Sequence, residues 1–187
     1  MGPAATAAGR ALVAGGLVVH PTDTLYALAA RADRPAAVAR LVAAKGRPDG
    51  RPLSAAVSSV EELERWARFA PAARRFVRTH LPGPYTVLLP PSAEARRRLA
   101  SEVSGGRTIG LRVPDHPLAR ELARRAGPLI ATSANRSGEP PARDLAAARR
   151  TFGRTVRAYV GGAPAPSGRP STLVDLTGPA PRAVSRR

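Results

Sequence analysis

Five polar clusters stand where apolar runs end: Pro21-Thr22-Asp23-Thr24, Lys45-x-Arg47, Thr108-x-x-x-Arg112, Ser133-x-Asn135 and Ser171-Thr172. Lysine and arginine offer positive charge to anions, while hydroxyls and an amide orient what they bind. Acids are few, and His20, His80 and His116 stand apart without metal-ligand spacing. That inventory suits holding phosphates and a carboxylate and stabilising charge, with little need for a protein nucleophile. Strand ends on one edge of a sheet are where such sites collect. The chain carries no P-loop, no Gly-x-Gly-x-x-Gly and no His-Glu-x-x-His. Residue types alone therefore lead to an anionic small molecule, with a nucleotide among the candidates, and no further.

Each cluster also has a structural reading. Pro-Thr-Asp-Thr is a good turn sequence whose side chains can bond the backbone. Lys45 and Arg47 at a helix C-terminus complement its dipole. Arg112 lies in an apolar run, where an unpaired guanidinium is costly; a salt bridge and a ligand carboxylate satisfy it equally well. Ser133 and Asn135 could cap the next segment.

The elements that must position these residues alternate along the chain. A short helix with a glycine stop precedes a strand at Leu17–His20, and Pro35 opens a helix that Gly46 and Pro48 end. Leu53–Val57 reads as a strand, Ser59-x-x-Glu62 as a capping box, and Pro71 to about His80 as a further helix. Strands at Tyr85–Leu89, Thr108–Val113 and Leu129–Ala131 are separated by helices at Glu94–Ala100 and from Pro117 to Gly127. A helix near Asp144–Phe152 and strands at Val156–Val160 and Thr172–Leu176 follow. The strands are too short and unevenly spaced for regular βαβ repeats. An α+β fold with a twisted mixed sheet and packed helices is expected.

At 187 residues with 43 % hydrophobic and 23 % charged, the chain is sized and composed for one globular domain. The absence of Cys excludes disulfides and thiolate chemistry and fits a reducing cytosol. No run approaches the ~20 apolar residues of a membrane span, and the N-terminus lacks a signal-peptide core, so a soluble cytoplasmic protein is expected. The formal charge of +17 admits two readings, a compositional background of arginine or a footprint for an anionic ligand. Lys45 is the sole lysine among 30 basic residues. Its retention suggests that a compact ammonium is needed there.

In order and wording, the clusters resemble the YrdC family of threonylcarbamoyl-adenylate synthases. The matching segments are Gly16–Tyr26 (GLVVHPTDTLY), Lys45–Pro48 with Pro52-Leu53, Pro82–Thr86, Thr108–Pro114, Thr132–Gly138 (TSANRSG) and Ser171–Asp175. The resemblance implies a YrdC/RibB-like twisted sheet around a positively charged concave cavity, as a single domain over residues 1–187. It implies a nucleotidyltransferase that joins L-threonine, bicarbonate or carbon dioxide, and ATP with magnesium. The products are threonylcarbamoyl-AMP and pyrophosphate, and a separate transferase then modifies tRNA. Carried over residue by residue, Lys45 and Arg47 are the basic pair that serves catalysis and the triphosphate. Thr24, Arg112, Ser133 and Ser171 match threonine contacts. Thr108 and Asn135 match nucleotide contacts, Arg51 and Arg143 align with such positions by spacing, and Arg186 aligns with a C-terminal arginine. No metal site of the protein's own is implied; magnesium is expected to arrive on ATP and water.

The chain departs from the family pattern at three places. Tyr26-Ala-Leu-Ala29 replaces Tyr-Gly-Leu-Gly, and alanine would be strained if those glycines needed positive φ. Ala56 stands where many relatives carry a histidine, and Ser185-Arg186-Arg187 replaces a Leu-Arg-x-Gly ending. The chain is expected to lack the extra C-terminal domain of longer synthases. Two rival functions remain: a non-catalytic RNA-binding module of the same fold, and a divergent paralogue that serves another carbamoyl acceptor. Few aromatics are available to stack on bases, which weighs against the first.

Overall fold

The computed structural model describes residues 2–46, 52–162 and 167–185. Nine strands among them form one sheet: β1 (Val18–Pro21), β2 (Tyr26–Arg31), β3 (Ser54–Ala56), β4 (Tyr85–Leu89), β5 (Ile109–Arg112), β6 (Leu129–Ser133), β7 (Ala158–Tyr159), β8 (Thr172–Asp175) and β9 (Arg182–Val184). Their order is β7-β1-β2-β6-β3-β5-β4-β8-β9. The β1–β7, β3–β5 and β4–β8 pairs are parallel and the others antiparallel, so the sheet is mixed as expected.

The helices are α1 (Pro3–Val13), α2 (Pro35–Lys45), α3 (Val60–Trp66), α4 (Pro71–His80), α5 (Ala93–Arg98), α6 (Ser101–Ser104), α7 (Pro117–Ala126) and α8 (Leu145–Phe152). Pro opens α2, α4 and α7 at the first turn, where its missing N–H is no loss. Gly46 ends α2 in the left-handed conformation (φ 56°), the backbone a glycine adopts most easily. The capping box at α3 is half formed. Ser59 accepts from the Glu62 N–H, but the Glu62 carboxylate bonds Ser58 rather than reaching back to Ser59.

Three elements differ from the sequence reading. β2 is a central strand in Tyr-Ala-Leu-Ala-Ala-Arg, which has no β-branched residue and leans toward helix. Its neighbours β1 and β6 hold it extended by pairing along both edges. β9, three mostly exposed residues on the sheet edge, and the single turn α6 carry too little periodicity to be read. In addition, β6 runs on through Thr132 to Ser133, so Ser133 closes the strand where the Ser-x-Asn loop begins.

Side-chain alternation divides the sheet into two unlike faces. Val19 pairs with Leu28, Ala30 with Ile130, Ile130 with Ala55, Ala55 with Leu111, Leu111 with Val87, and Val87 with Val174. These residues share one buried core with Val38 and Leu41 of α2, Leu63 and Trp66 of α3, and Phe152 of α8. The opposite face is covered at one end by α1 and α7, through Leu12, Val18, Ala29, Leu122 and Leu129. Over the rest of that face small and polar residues predominate, with His20, Ala27 and Ser133 in one rung, Ala56 and Arg112 in a second, and Ser54 and Gly110 in a third. A Cβ on Gly110 would collide with Ser54 Oγ, so the floor is shaped by what it lacks.

Candidate functional site

On this small-residue face lies a cavity of about 300 Å³. Its wall includes Thr24, Arg112, Ser133 and Ser171, the four residues that the family resemblance assigns to the amino acid. They come from four distant parts of the chain. The β1–β2 turn brings Thr24, the end of β5 brings Arg112, the end of β6 brings Ser133, and Ser171 precedes β8.

The turn does its structural work through Thr22. Its backbone N–H donates to the Leu25 carbonyl (3.1 Å), as does its hydroxyl (2.6 Å), while Thr22 Oγ1 receives the Thr24 and Leu25 N–H groups. The turn reading of this cluster is realised, and the same turn sets Thr24 in the cavity wall. Arg112 donates from Nη1 to Thr24 Oγ1 at 2.8 Å and from Nη2 to Asp23 Oδ1 at 2.6 Å. The salt-bridge alternative is thus realised while Arg112 still lines the cavity. Burial pulls the Arg112 pKa down, and the Asp23 carboxylate opposes that shift. Arg112 Nε and Asp23 Oδ2 are buried without a partner among the described residues. Across the cavity, the Ser171 and Thr86 hydroxyls are 2.7 Å apart.

Lys45, at the last turn of α2, is 3 % exposed. Its Nζ donates to the backbone carbonyls of Ser133 (2.7 Å) and Asn135 (2.8 Å), and the Lys45 carbonyl accepts from Ser137 N–H. The ammonium thus binds the loop that carries the Ser-x-Asn cluster. Asn135 donates from Nδ2 to the Arg136 and Glu139 carbonyls, which leaves its buried Oδ1 without a partner among the described residues.

The remaining assignments lie farther out. Thr108 is half-buried, one residue before β5 and at the opposite end of that strand from Arg112. Arg143 is exposed just before α8, two residues after the cavity residue Pro141; Ala142 N–H bonds the Ala134 carbonyl and ties that segment to the Ser-x-Asn loop. Arg47, Arg51 and Arg186 lie outside the described residues. Among the described wall residues Arg112 is the one charged side chain.

Sequence reasoning missed Asp23, Thr86 and His20. Asp23 and Thr86 sat inside quoted motifs, but only their strand geometry reveals what they hold. His20 has no metal-ligand spacing in the sequence, yet it forms part of the cavity wall. Its Nδ1 donates to the Pro21 carbonyl at 2.9 Å, which fixes the neutral tautomer. Burial pushes its pKa down to about 4, the carbonyl bond opposes this, and His116 adds to it. Burial lowers the His116 pKa as well. Ala56 and Ala27 also face the cavity, and no residue other than glycine has positive φ among those described. Ala27 and Ala29 are therefore unstrained strand residues.

The fold is thus a mixed sheet whose one open face gathers a guanidinium, hydroxyls and a lysine-anchored Ser-x-Asn loop around a cavity. The chain belongs to the Sua5/YciO/YrdC family, whose model, described as "Telomere recombination", matches residues 10–187. A threonylcarbamoyl-AMP synthase of Chromohalobacter salexigens is 39 % identical over 168 residues, 89 % of this chain and 89 % of that protein. The structure of P. abyssi Sua5 complexed with L-threonine superposes with a TM-score of 0.86 at 33 % identity, over 94 % of this chain. This chain spans about half of that protein, 52 %. E. coli YciO superposes with a TM-score of 0.83 at 29 % identity, covering 96 % of this chain and 87 % of that one.

Proposed function

We propose that this protein is a threonylcarbamoyl-AMP synthase that joins L-threonine, bicarbonate or carbon dioxide, and ATP. The observation that carries the reading is the convergence of Thr24, Arg112, Ser133 and Ser171 on one cavity. The threonine carboxylate lies against Arg112, whose Nε–H has no other partner among the described residues, and the hydroxyls orient the rest. The amine gives up a proton and its nitrogen bonds the carbon of carbon dioxide to form a carbamate. A carbamate oxygen then attacks the α-phosphorus as the bond to the β-phosphate oxygen breaks and pyrophosphate leaves. Both reactants are anionic, so alignment and charge compensation are the main work of the protein.

In this reading Lys45 holds the Ser133–Asn135 loop in place beside the triphosphate, with Arg47, Arg51, Thr108, Asn135, Arg143 and Arg186 as further nucleotide contacts. Among the described residues no group of three or more His, Asp or Glu could hold a metal ion. Magnesium enters as part of the ATP complex in this reading. Residues 1–187 act as one domain, and the product passes to a separate transferase that modifies tRNA. No helix among the described residues is long and apolar enough to cross a membrane, in keeping with action in the cytoplasm.

The test is pyrophosphate release by purified protein with ATP, magnesium and bicarbonate, comparing threonine with serine and other amino acids. Release that depends on threonine supports the reading. No release under these conditions defeats it, and release with another amino acid instead moves the assignment to a different carbamoyl acceptor.

A further inference from the structure

His20, Ala27 and Ser133 form one rung across β1, β2 and β6, and all three line the cavity. Neighbouring Cβ atoms in such a rung stand roughly 5 Å apart, so the Cβ atoms of His20 and Ser133 are about 10 Å apart across the Ala27 methyl group. One edge of the ring is committed, since Nδ1–H donates to the Pro21 carbonyl. The other nitrogen, Nε2, therefore carries a lone pair, and it is buried with no partner among the described residues. A buried acceptor left open in this way costs stability unless a ligand completes it.

The Thr22, Thr24, Thr86 and Ser171 hydroxyls already bond one another, the turn or Arg112, and Ser54, Thr132 and Ser133 add further hydroxyls to the wall, so the orphaned ring nitrogen is distinguished by being a pure acceptor. No carboxylate lines the cavity among the described residues, and Asp23 is paired with Arg112. A zwitterionic amino acid whose carboxylate meets Arg112 still needs an acceptor for its amino group.

We infer that His20 binds the amino group of the substrate amino acid, with Nε2 accepting an N–H hydrogen bond, an assignment that rests on the synthase reading. The chemistry favours an imidazole over a carboxylate here. A carboxylate would stabilise the ammonium form and so withhold the lone pair that must attack carbon dioxide. A neutral ring beside a guanidinium orients the nitrogen without adding negative charge. Burial keeps the ring neutral, with its pKa near 4.

Threonine-dependent pyrophosphate release by the wild-type chain is measured first, and its absence defeats the synthase reading independently of His20. In active protein, His20→Asn is compared with His20→Gln. Asn leaves an N–H donor where Nδ1 stood and removes the acceptor, whereas Gln can bring an amide oxygen to the position of Nε2. His20→Asn is expected to raise KM for threonine by roughly tenfold or more, with KM for ATP unchanged, and His20→Gln to recover most of that loss. A threonine KM unchanged in His20→Asn overturns the inference. So does equal loss in both variants accompanied by a parallel fall in Tm, which would mark His20 as structural. A second measurement needs no variant: the His20 Nε2 resonance of 15N-labelled protein moves upfield when threonine binds, and a resonance that stays put while threonine binds overturns the inference as well.

Discussion

Lys45 Nζ lies 2.8 Å from the backbone carbonyl of Asn135, ninety residues away in sequence, and 2.7 Å from that of Ser133. The one lysine of the chain is thus both a charge beside the site and the anchor of its Ser-x-Asn loop. An ammonium can meet two carbonyls at the end of a slender stem, where a planar guanidinium would need more room. Lys45→Ala is expected to abolish pyrophosphate release and also to lower stability by about 2 kcal/mol, the loss of charged hydrogen bonds to buried carbonyls. Urea unfolding beside the activity assay checks both. Retained turnover would remove Lys45 from the machinery, and an unchanged midpoint would show that the loop does not depend on it.

Asp23 acts through Arg112. Their side chains are 9 % and 12 % exposed, and the pair is joined through one oxygen and one nitrogen. Removing one partner leaves a buried guanidinium short of its counter-charge, which costs about 3 kcal/mol or more. Asp23→Asn keeps the shape and one oxygen acceptor, so the expected effect is a partly destabilised protein whose KM for threonine rises while that for ATP holds. A rise in both constants alike would mean that Asp23 supports the whole site and not Arg112 in particular.

Much of this was legible from residue types. Pro35 and Gly46 bracket α2, Pro71 opens α4, and Pro117 and Gly127 bracket α7, because those residues act locally. Of the site clusters, Thr24, Arg112, Ser133 and Ser171 meet at one cavity, while Thr108 and Arg143 are not among its wall residues. What the sequence withheld is set by contacts between distant segments. β2 is Ala-rich and becomes a strand only between β1 and β6. The role of Asp23 depends on a partner eighty-nine residues away. His20 looked solitary because its rung partners, Ala27 and Ser133, lie on other strands.

Ala29 tests whether the alanines of β2 are a burden. It lies in a paired strand, has no exposed surface, packs with Leu12, Val18, Leu122 and Leu129, and does not have positive φ. Glycine there gains no conformation the strand uses, and it loses a buried methyl as well as chain rigidity. Ala29→Gly should therefore destabilise by about 1 kcal/mol. Thermal or urea unfolding reads this directly, and a variant more stable than the wild type would reveal strain that the backbone geometry does not show.

His20 also sets a pH dependence of stability. Burial drops its pKa from 6.5 to about 4 on folding, so between those values the unfolded chain binds a proton that the folded chain refuses. Stability is then fully present above pH 6.5 and falls as pH drops toward 4, by about 1.4 kcal/mol per unit and about 3 kcal/mol in total. His116, lowered in the same direction, adds to the slope. The lowered carboxylates Asp33 and Asp175 start from 3.8, below this window, and the exposed Glu61, Glu94 and Glu121 start from 4.5, near its bottom, so imidazoles dominate between pH 7 and 5. Urea unfolding at pH 7, 6 and 5 should show the decline, and His20→Asn should flatten most of it. A wild-type free energy that does not change between pH 7 and 5 would mean that the ring is protonated in the folded state, with a counter-charge that its surroundings do not display.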